Sequence, residues 1–128
     1  AHDMDMLTAP YVFNEEQCEA MTKAGADIIV VHCGCTKGGL SGIKSDISFG
    51  LEQAAEYAER IALCALKINA EVFVICHGGP IAEPEDVKYI LEHTEHIQGF
   101  FGASSMERLP AERAITQQVR DFKALRLK

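Results

Sequence analysis

No stretch of this chain holds the roughly 18 consecutive apolar residues that a helix needs to span a bilayer. The N-terminus also lacks the basic-then-apolar order of a secretory signal. Lysine and arginine are scattered and the formal charge is −7. Nucleic acid and anionic membrane are therefore excluded as expected partners, because each requires clustered cations. No low-complexity tract, acidic tail or linker interrupts residues 1–128, which read as one domain. A disulfide framework is missing too. Cys18, Cys33, Cys35, Cys64 and Cys76 are odd in number and set in apolar or strand-like contexts. Buried, reduced thiols and a cytoplasmic location are the expectation. The chain opens on Ala1 instead of Met, as a piece of a longer protein would.

What is present is an ordinary globular balance, 48% apolar and 24% charged residues. Four apolar runs stand out, over residues 6–13, 27–33, 71–77 and 99–102. The second and third, Ile28-Ile29-Val30-Val31 and Val72-Phe73-Val74-Ile75, are continuous and β-branched or aromatic, the pattern of parallel strands covered on both faces. Met4 and Met6 read as core filler beside the first run.

Helical patterns lie between the strands. Asn14 caps the first, with Gln17 as capping-box partner and Gly25 as terminator. Ser48 is placed to open the second, whose Leu51, Ala54, Ala55, Ala58, Ile61, Ala62, Ala65 and Leu66 form one face. Pro84 starts the third, with Val87, Ile90 and Leu91 inward. Pro110 starts the last, with Ala114, Ile115, Val119, Phe122 and Leu125 on its buried side. The Glu52, Glu56, Glu59 and Arg60 set reads as a solvated helix face, and Glu92, His93, Glu95 and His96 as an exposed helix end. The resulting β-α-β-α-β-α-β-α order predicts parallel strands with right-handed crossovers. A small doubly wound sheet and half of a closed barrel both satisfy it.

In either architecture, chemistry belongs at the C-terminal strand ends. Gly102-Ala103-Ser104-Ser105, followed by Glu107, Arg108 and a helix, has the small residues, hydroxyls and cation that hold an anion. The structural alternative is Ser104 or Ser105 capping that helix, with Arg108 on the surface. His77-Gly78-Gly79-Pro80 offers an imidazole beside open backbone, suited to acid–base work, or a structural histidine next to a tight turn. His32 sits at the equivalent place on the preceding strand, on the same side as Ile28 and Val30. Zinc is not expected at His32, Cys33, Cys35, Cys76 and His77, because alternate strand residues point to opposite faces. The glycine-rich connection over 34–46 reads as a lid from which Lys37 or Lys44 reaches an anion, or as a solvated loop.

Leu7 to Glu16, Ala24 to Ile28, Cys76 to Ala82 and Gly99 to Pro110 carry a further signal: this chain resembles the phosphoenolpyruvate hydrolase-like TIM-barrel family. Cys33-Gly34-Cys35 departs from that pattern, as does the stretch from Thr36 to Ile47. The resemblance implies an α/β fold of the TIM (β/α)8 type, with residues 1–128 as the C-terminal (βα)4 half of a single barrel domain. A complete barrel needs about 250 residues.

The resemblance also implies a small phosphorylated or carboxylate metabolite. His77, Gly78 and Gly79 line its pocket from the seventh strand, and Gly102, Ser104, Ser105, Glu107 and Arg108 line it from the eighth. His77, with His32, then transfers a proton in hydrolase- or lyase-type chemistry, and Glu107 is a second acid–base candidate unless it pairs with Arg108. No cofactor is required by the residues; Mg²⁺ is compatible with such substrates, although no carboxylate cluster marks a site for it. Two other functions fit the same family: a non-catalytic small-molecule sensor, and an antiviral-type protein-interaction barrel. A half-barrel leaves edges and apolar residues uncovered, so a homo-oligomer or the missing N-terminal half is the expected partner.

Overall fold

The computed structural model describes residues 1–42 and 50–126. After a short 3-10 turn (His2–Met4) come β1 (Tyr11–Val12), α1 (Glu15–Lys23), β2 (Ile28–His32), α2 (Leu51–Leu66), β3 (Phe73–His77), α3 (Pro84–Glu92) and α4 (Arg108–Lys123). The strands form one parallel sheet in chain order, with Tyr11 opposite Val30, Val30 opposite Ile75, and His32 opposite His77. The fourth apolar run lies alongside β3 but is reduced to one parallel bridge, Cys76 to Phe100. The Gln98 amide donates to the Val74 carbonyl (2.8 Å) and the Phe101 amide to the Cys76 carbonyl (2.8 Å). The first run shrinks likewise to two strand residues, and Met4 and Met6 are exposed instead of buried. Among the described residues both runs are sheet margins with a neighbour on one side only, so fewer ladder bonds hold them extended.

Local chemistry sets the helix ends. Asn14 Oδ1 accepts the Gln17 amide (2.9 Å), while Gln17 Oε1 reaches back to the Phe13 amide (2.9 Å), one residue beyond the expected partner. At the other end Gly25 takes φ 88°, and the Ala26 amide returns to the Met21 carbonyl (3.1 Å). Asp86 Oδ2 collects the Ala82 and Glu83 amides at the start of α3 (3.0 and 2.9 Å). Ser48 and Lys44 lie outside the described residues.

The core forms on one face of the sheet. Val12, Ile29, Val31, Val74 and Cys76 meet Cys18 of α1, Ile90 of α3, and Ala54, Ala58, Ile61, Ala62 and Ala65 of α2. Alanines on the sheet-facing side of α2 bring the helix backbone close to the strands while leaving no room for larger groups. All three helices cover the same face. Successive right-handed crossovers give that result when strands follow chain order, whereas a doubly wound sheet carries helices on both sides.

The opposite face bears the alternate residues: Tyr11 and Phe73 are exposed there, and Ile28 and Ile75 are half-buried. Val30 and His77 on the same face are buried, so among the described residues this face is open only in part. α4 departs furthest from its pattern. It starts at Arg108, before Pro110, and only Leu109 is buried, while Ile115, Val119 and Phe122 on the helix and Leu125 just beyond it are exposed. Leu91 of α3 is also exposed.

The charged helix faces have specific partners. Arg60 pairs with Glu15 of α1 (2.5 Å). Glu59 accepts from the Glu95 and His96 amides and faces His96 Nδ1 (2.5 Å), so His96 is half-buried and not free at a helix end. Burial alone would raise the Glu59 carboxyl, but His96 and the two amides hold it below its ordinary range. Among the described residues no helix is long and apolar enough to cross a membrane.

Candidate functional site at the strand ends

Parallel pairing places His32 and His77 opposite each other at the C-terminal ends of β2 and β3. Both rings project to the face that the helices leave open, with centroids 4.8 Å apart. Tyr11 of β1 stacks on His77 (4.8 Å, 28°) and meets His32 edge-on (5.1 Å). Phe13 lies 4.6 Å from His32, and Phe101 lies 6.0 Å from His77. The two imidazoles are thus held in an aromatic frame, above Val30 and Ile75 in the preceding row of the sheet. Tyr11 closes the Thr8-Ala9-Pro10-Tyr11 strand end legible in the sequence, whereas Phe13 and Phe101 had no site role assigned from sequence. Their alternation was visible, but only the register shows which histidine each one meets.

The turns after β2 and β3 fasten to each other. The Cys33 amide donates to the His77 carbonyl (2.8 Å), the Gly79 amide to the Gly34 carbonyl (2.6 Å), and the Lys37 amide to the Gly79 carbonyl (3.0 Å). A Cβ on Gly78 would stand 2.2 Å from the Gly34 oxygen, so close backbone contact explains the glycine pair. The Gly79 amide is thereby engaged by Gly34. Lys37 is half-buried, with its backbone tied to this turn.

The 102–105 turn leaves directly from Phe101, whose carbonyl bonds to His77 Nδ1 (2.7 Å). Gly102, Ser104 and Ser105 are half-buried, and the two serine hydroxyls have no hydrogen-bond partner among the described residues. Neither serine caps α4: Glu107 occupies the N-cap position, and Ser104 contributes only its carbonyl, to the Leu109 amide (2.9 Å). Glu107 is exposed and does not pair with Arg108. Arg108 instead bonds Glu112 one turn along (3.2 Å) and the Gly38 carbonyl (3.1 Å), while Glu112 also holds the Leu40 amide (2.8 Å). The cation expected at the anion site thus ties the glycine-rich connection to α4.

Burial, with His77 alongside, holds His32 below its ordinary value of 6.5. In the unfolded chain His32 binds a proton more readily, so its contribution to stability is present above 6.5 and is lost as pH falls through its lower folded value. His32→Gln is expected to flatten the loss of thermal stability between neutral and mildly acid pH. An unchanged slope in melts across that range would count against this assignment.

The thiols behave differently. Cys18, Cys33 and Cys76 are buried, but Cys35 is exposed and Cys64 is half-buried, so burial of all five does not hold. All five are free. Burial pushes Cys33 and Cys76 up to about 12, the protonated and unreactive form. Both lie on the helix-covered face, opposite the histidines, so these four side chains do not converge on one metal. Among the described residues no group of three His, Cys, Asp or Glu side chains is disposed to hold a metal ion. The site as described does not fit Mg²⁺, which takes carboxylate oxygen.

Comparison with known proteins gives a coherent result. The sequence profile described as phosphoenolpyruvate hydrolase-like matches residues 1–125. The ToMV susceptible protein tm-1(GCR26) of Solanum lycopersicum is 47% identical over 125 residues, covering 98% of this chain and 16% of the relative. The ToMV resistance protein Tm-1(GCR237) of the same plant is 46% identical, with the same coverage. A protein of Sinorhizobium fredii named "Putative transcriptional regulatory protein y4pA" is 31% identical over 98% of this chain and 20% of its own length. The chain therefore spans only 16–20% of the length of these curated relatives. Matched along nearly all of its length, the chain belongs to the phosphoenolpyruvate hydrolase-like family.

Proposed function

We propose that this chain forms the C-terminal four units of a TIM (β/α)8-type barrel that acts on a small phosphorylated or carboxylate metabolite. Sequential parallel strands, helices on one face only, and an opposite face left partly exposed by the described residues all support a sheet that continues and closes. The exposed stripe of α4 fits the same reading, with the cover coming from further strands of the same barrel or from a second copy. The free cysteines fit a reducing, cytoplasmic setting.

The observation that carries the functional reading is the His32–His77 pair, two imidazoles 4.8 Å apart at neighbouring strand ends. Proton transfer by such groups suits hydrolase- or lyase-type chemistry. The hydroxyls of Ser104 and Ser105, without a hydrogen-bond partner among the described residues, would take the anionic end of the ligand with Gly102 and the turn at Gly78. Arg108 would join them by exchanging the Gly38 carbonyl for the anion, remaining within reach of Glu112. Glu107, on the surface, has the weaker claim to an acid–base role.

His77→Ala is expected to abolish turnover of phosphoenolpyruvate or a related compound while leaving the circular dichroism spectrum unchanged. Undiminished turnover would remove His77 from the mechanism. A sensor is the second reading, favoured by the likeness to a protein named as a transcriptional regulator and by the prior engagement of Arg108. Saturable binding of a phosphorylated metabolite with no product would establish it. A protein-interaction barrel is favoured by the likeness to ToMV resistance and susceptibility proteins. Capture of a partner that survives both Ser104→Ala and His77→Ala would favour that role.

A further inference from the structure

The backbone around the two strand-end histidines dictates which nitrogen of each ring carries its proton. His77 Nδ1 lies 2.7 Å from the Phe101 carbonyl oxygen. A carbonyl can only accept, so Nδ1 must bear the hydrogen, and the neutral ring is left with a lone pair at Nε2. His32 is the opposite case: its Nδ1 lies 3.1 Å from the Gly34 amide nitrogen. An amide can only donate, so Nδ1 is the acceptor and the neutral ring carries its hydrogen on Nε2. The other two histidines with described side-chain contacts resemble His77, with Nδ1 of His93 on the Tyr89 carbonyl (2.8 Å) and Nδ1 of His96 on Glu59 (2.5 Å). Among these four, His32 alone is set to the reverse tautomer.

The geometry points to a bifunctional pair for enolisation of a 2-oxo carboxylate, with His77 Nε2 as the base and the Nε2–H of neutral His32 as the donor to the carbonyl oxygen. This rests on the proposed anion site, since the carboxylate of such a ligand would occupy the Ser104–Ser105 turn. In the step, His77 Nε2 takes a proton from the carbon next to the carbonyl. The carbon–hydrogen electron pair becomes the new carbon–carbon double bond, and the carbonyl π pair moves onto oxygen. His32 keeps its proton and stabilises the developing oxyanion through its hydrogen bond, as a preorganised donor does. Nothing is oxidised or reduced, and the reverse step returns a proton from His77 to carbon.

Two features protect this division of labour. Protonating His32 would place a hydrogen on Nδ1, against the Gly34 amide, and burial beside a second imidazole opposes the same change. Tyr11 stacks on His77 and touches His32 edge-on, which holds both rings in the required planes.

Nitrogen-edited proton NMR of the histidine-labelled protein at neutral pH, with His32→Gln and His77→Gln for assignment, reads the tautomers directly. The expected result is hydrogen on Nδ1 of His77 and on Nε2 of His32. Pyruvate in deuterium oxide supplies the second reading: its methyl hydrogens should exchange, and His77→Gln should slow that exchange on the order of 10²–10⁴-fold. His32→Gln should lower kcat more than it raises KM, because its bond strengthens as charge develops on oxygen. Matching tautomers on the two rings, a His32 already charged at neutral pH, no exchange, or exchange undiminished in His77→Gln would overturn the proposal. Exchange with the expected tautomers, but with a KM indifferent to Ser104→Ala and Ser105→Ala, would instead sustain the pair and remove the anion site.

Discussion

Gly79→Ala is expected to lower stability by more than about 3 kcal/mol, a large share of the 5–15 kcal/mol typical of a folded domain. Residue 79 takes φ +60°, a left-handed conformation that costs an L side chain about 1–2 kcal/mol. The added Cβ would also stand 2.1 Å from the Cys33 carbonyl oxygen and 2.8 Å from its carbon. These are backbone atoms, with no rotamer to swing aside. Relief would require parting the turns after β2 and β3, which are joined by the Gly79–Gly34 and Lys37–Gly79 hydrogen bonds. Gly50→Ala is the matched control. Its φ is −69° and a Cβ there meets nothing within 4 Å among the described residues, so a change of less than about 1 kcal/mol is expected, from the N-cap preference alone. Urea unfolding of the two variants checks the contrast. Equal losses would refute the close approach of the turns.

Ile29→Ala carries the second large effect. Ile29 has no exposed surface and packs in the cluster where β2 meets the helices. Truncation removes buried methyl groups and leaves a hole that alanine-dense α2 has little side-chain length to refill, so the loss should be about 2–5 kcal/mol. Val119→Ala on α4 should change the stability of the 128-residue chain by no more than about 0.5 kcal/mol, since Val119 is 51% exposed. A Val119 loss approaching that of Ile29 would mean that another surface already covers α4. Denaturant midpoints of both variants, compared with the parent, decide the matter.

These contrasts also separate what was legible in the chain from what was not. The face of α2 could be read in full, because six small or aliphatic residues recurring at three- and four-residue spacing leave one way to lay that helix on a sheet. The same periodicity on α4 did not lead to burial. Ile115, Val119 and Phe122 mark an apolar stripe, but a stripe does not say which surface covers it, and none of the described elements does. At the site, His32 and His77 were recognisable as strand-end residues, and their convergence depended on register. A slip of one residue would have turned one ring toward the helices. Arg108 was recognisable only as a cation near small residues; Glu112 pairs with it one turn along the same helix, but its bond to Gly38 depends on how a segment 70 positions away folds back.

The sequence by itself determined the central strands and the helices, the order in which they alternate, and the polar ends of the strands. Each of these follows from interactions between residues at most four apart, which a linear pattern records. Tertiary structure alone decided which histidine faces which, which nitrogen holds each proton, and that among the described residues one sheet face and the apolar stripe of α4 stay partly exposed. Those outcomes depend on carbonyls, amides and rings brought together from distant segments, and their energies arise only at contact distance.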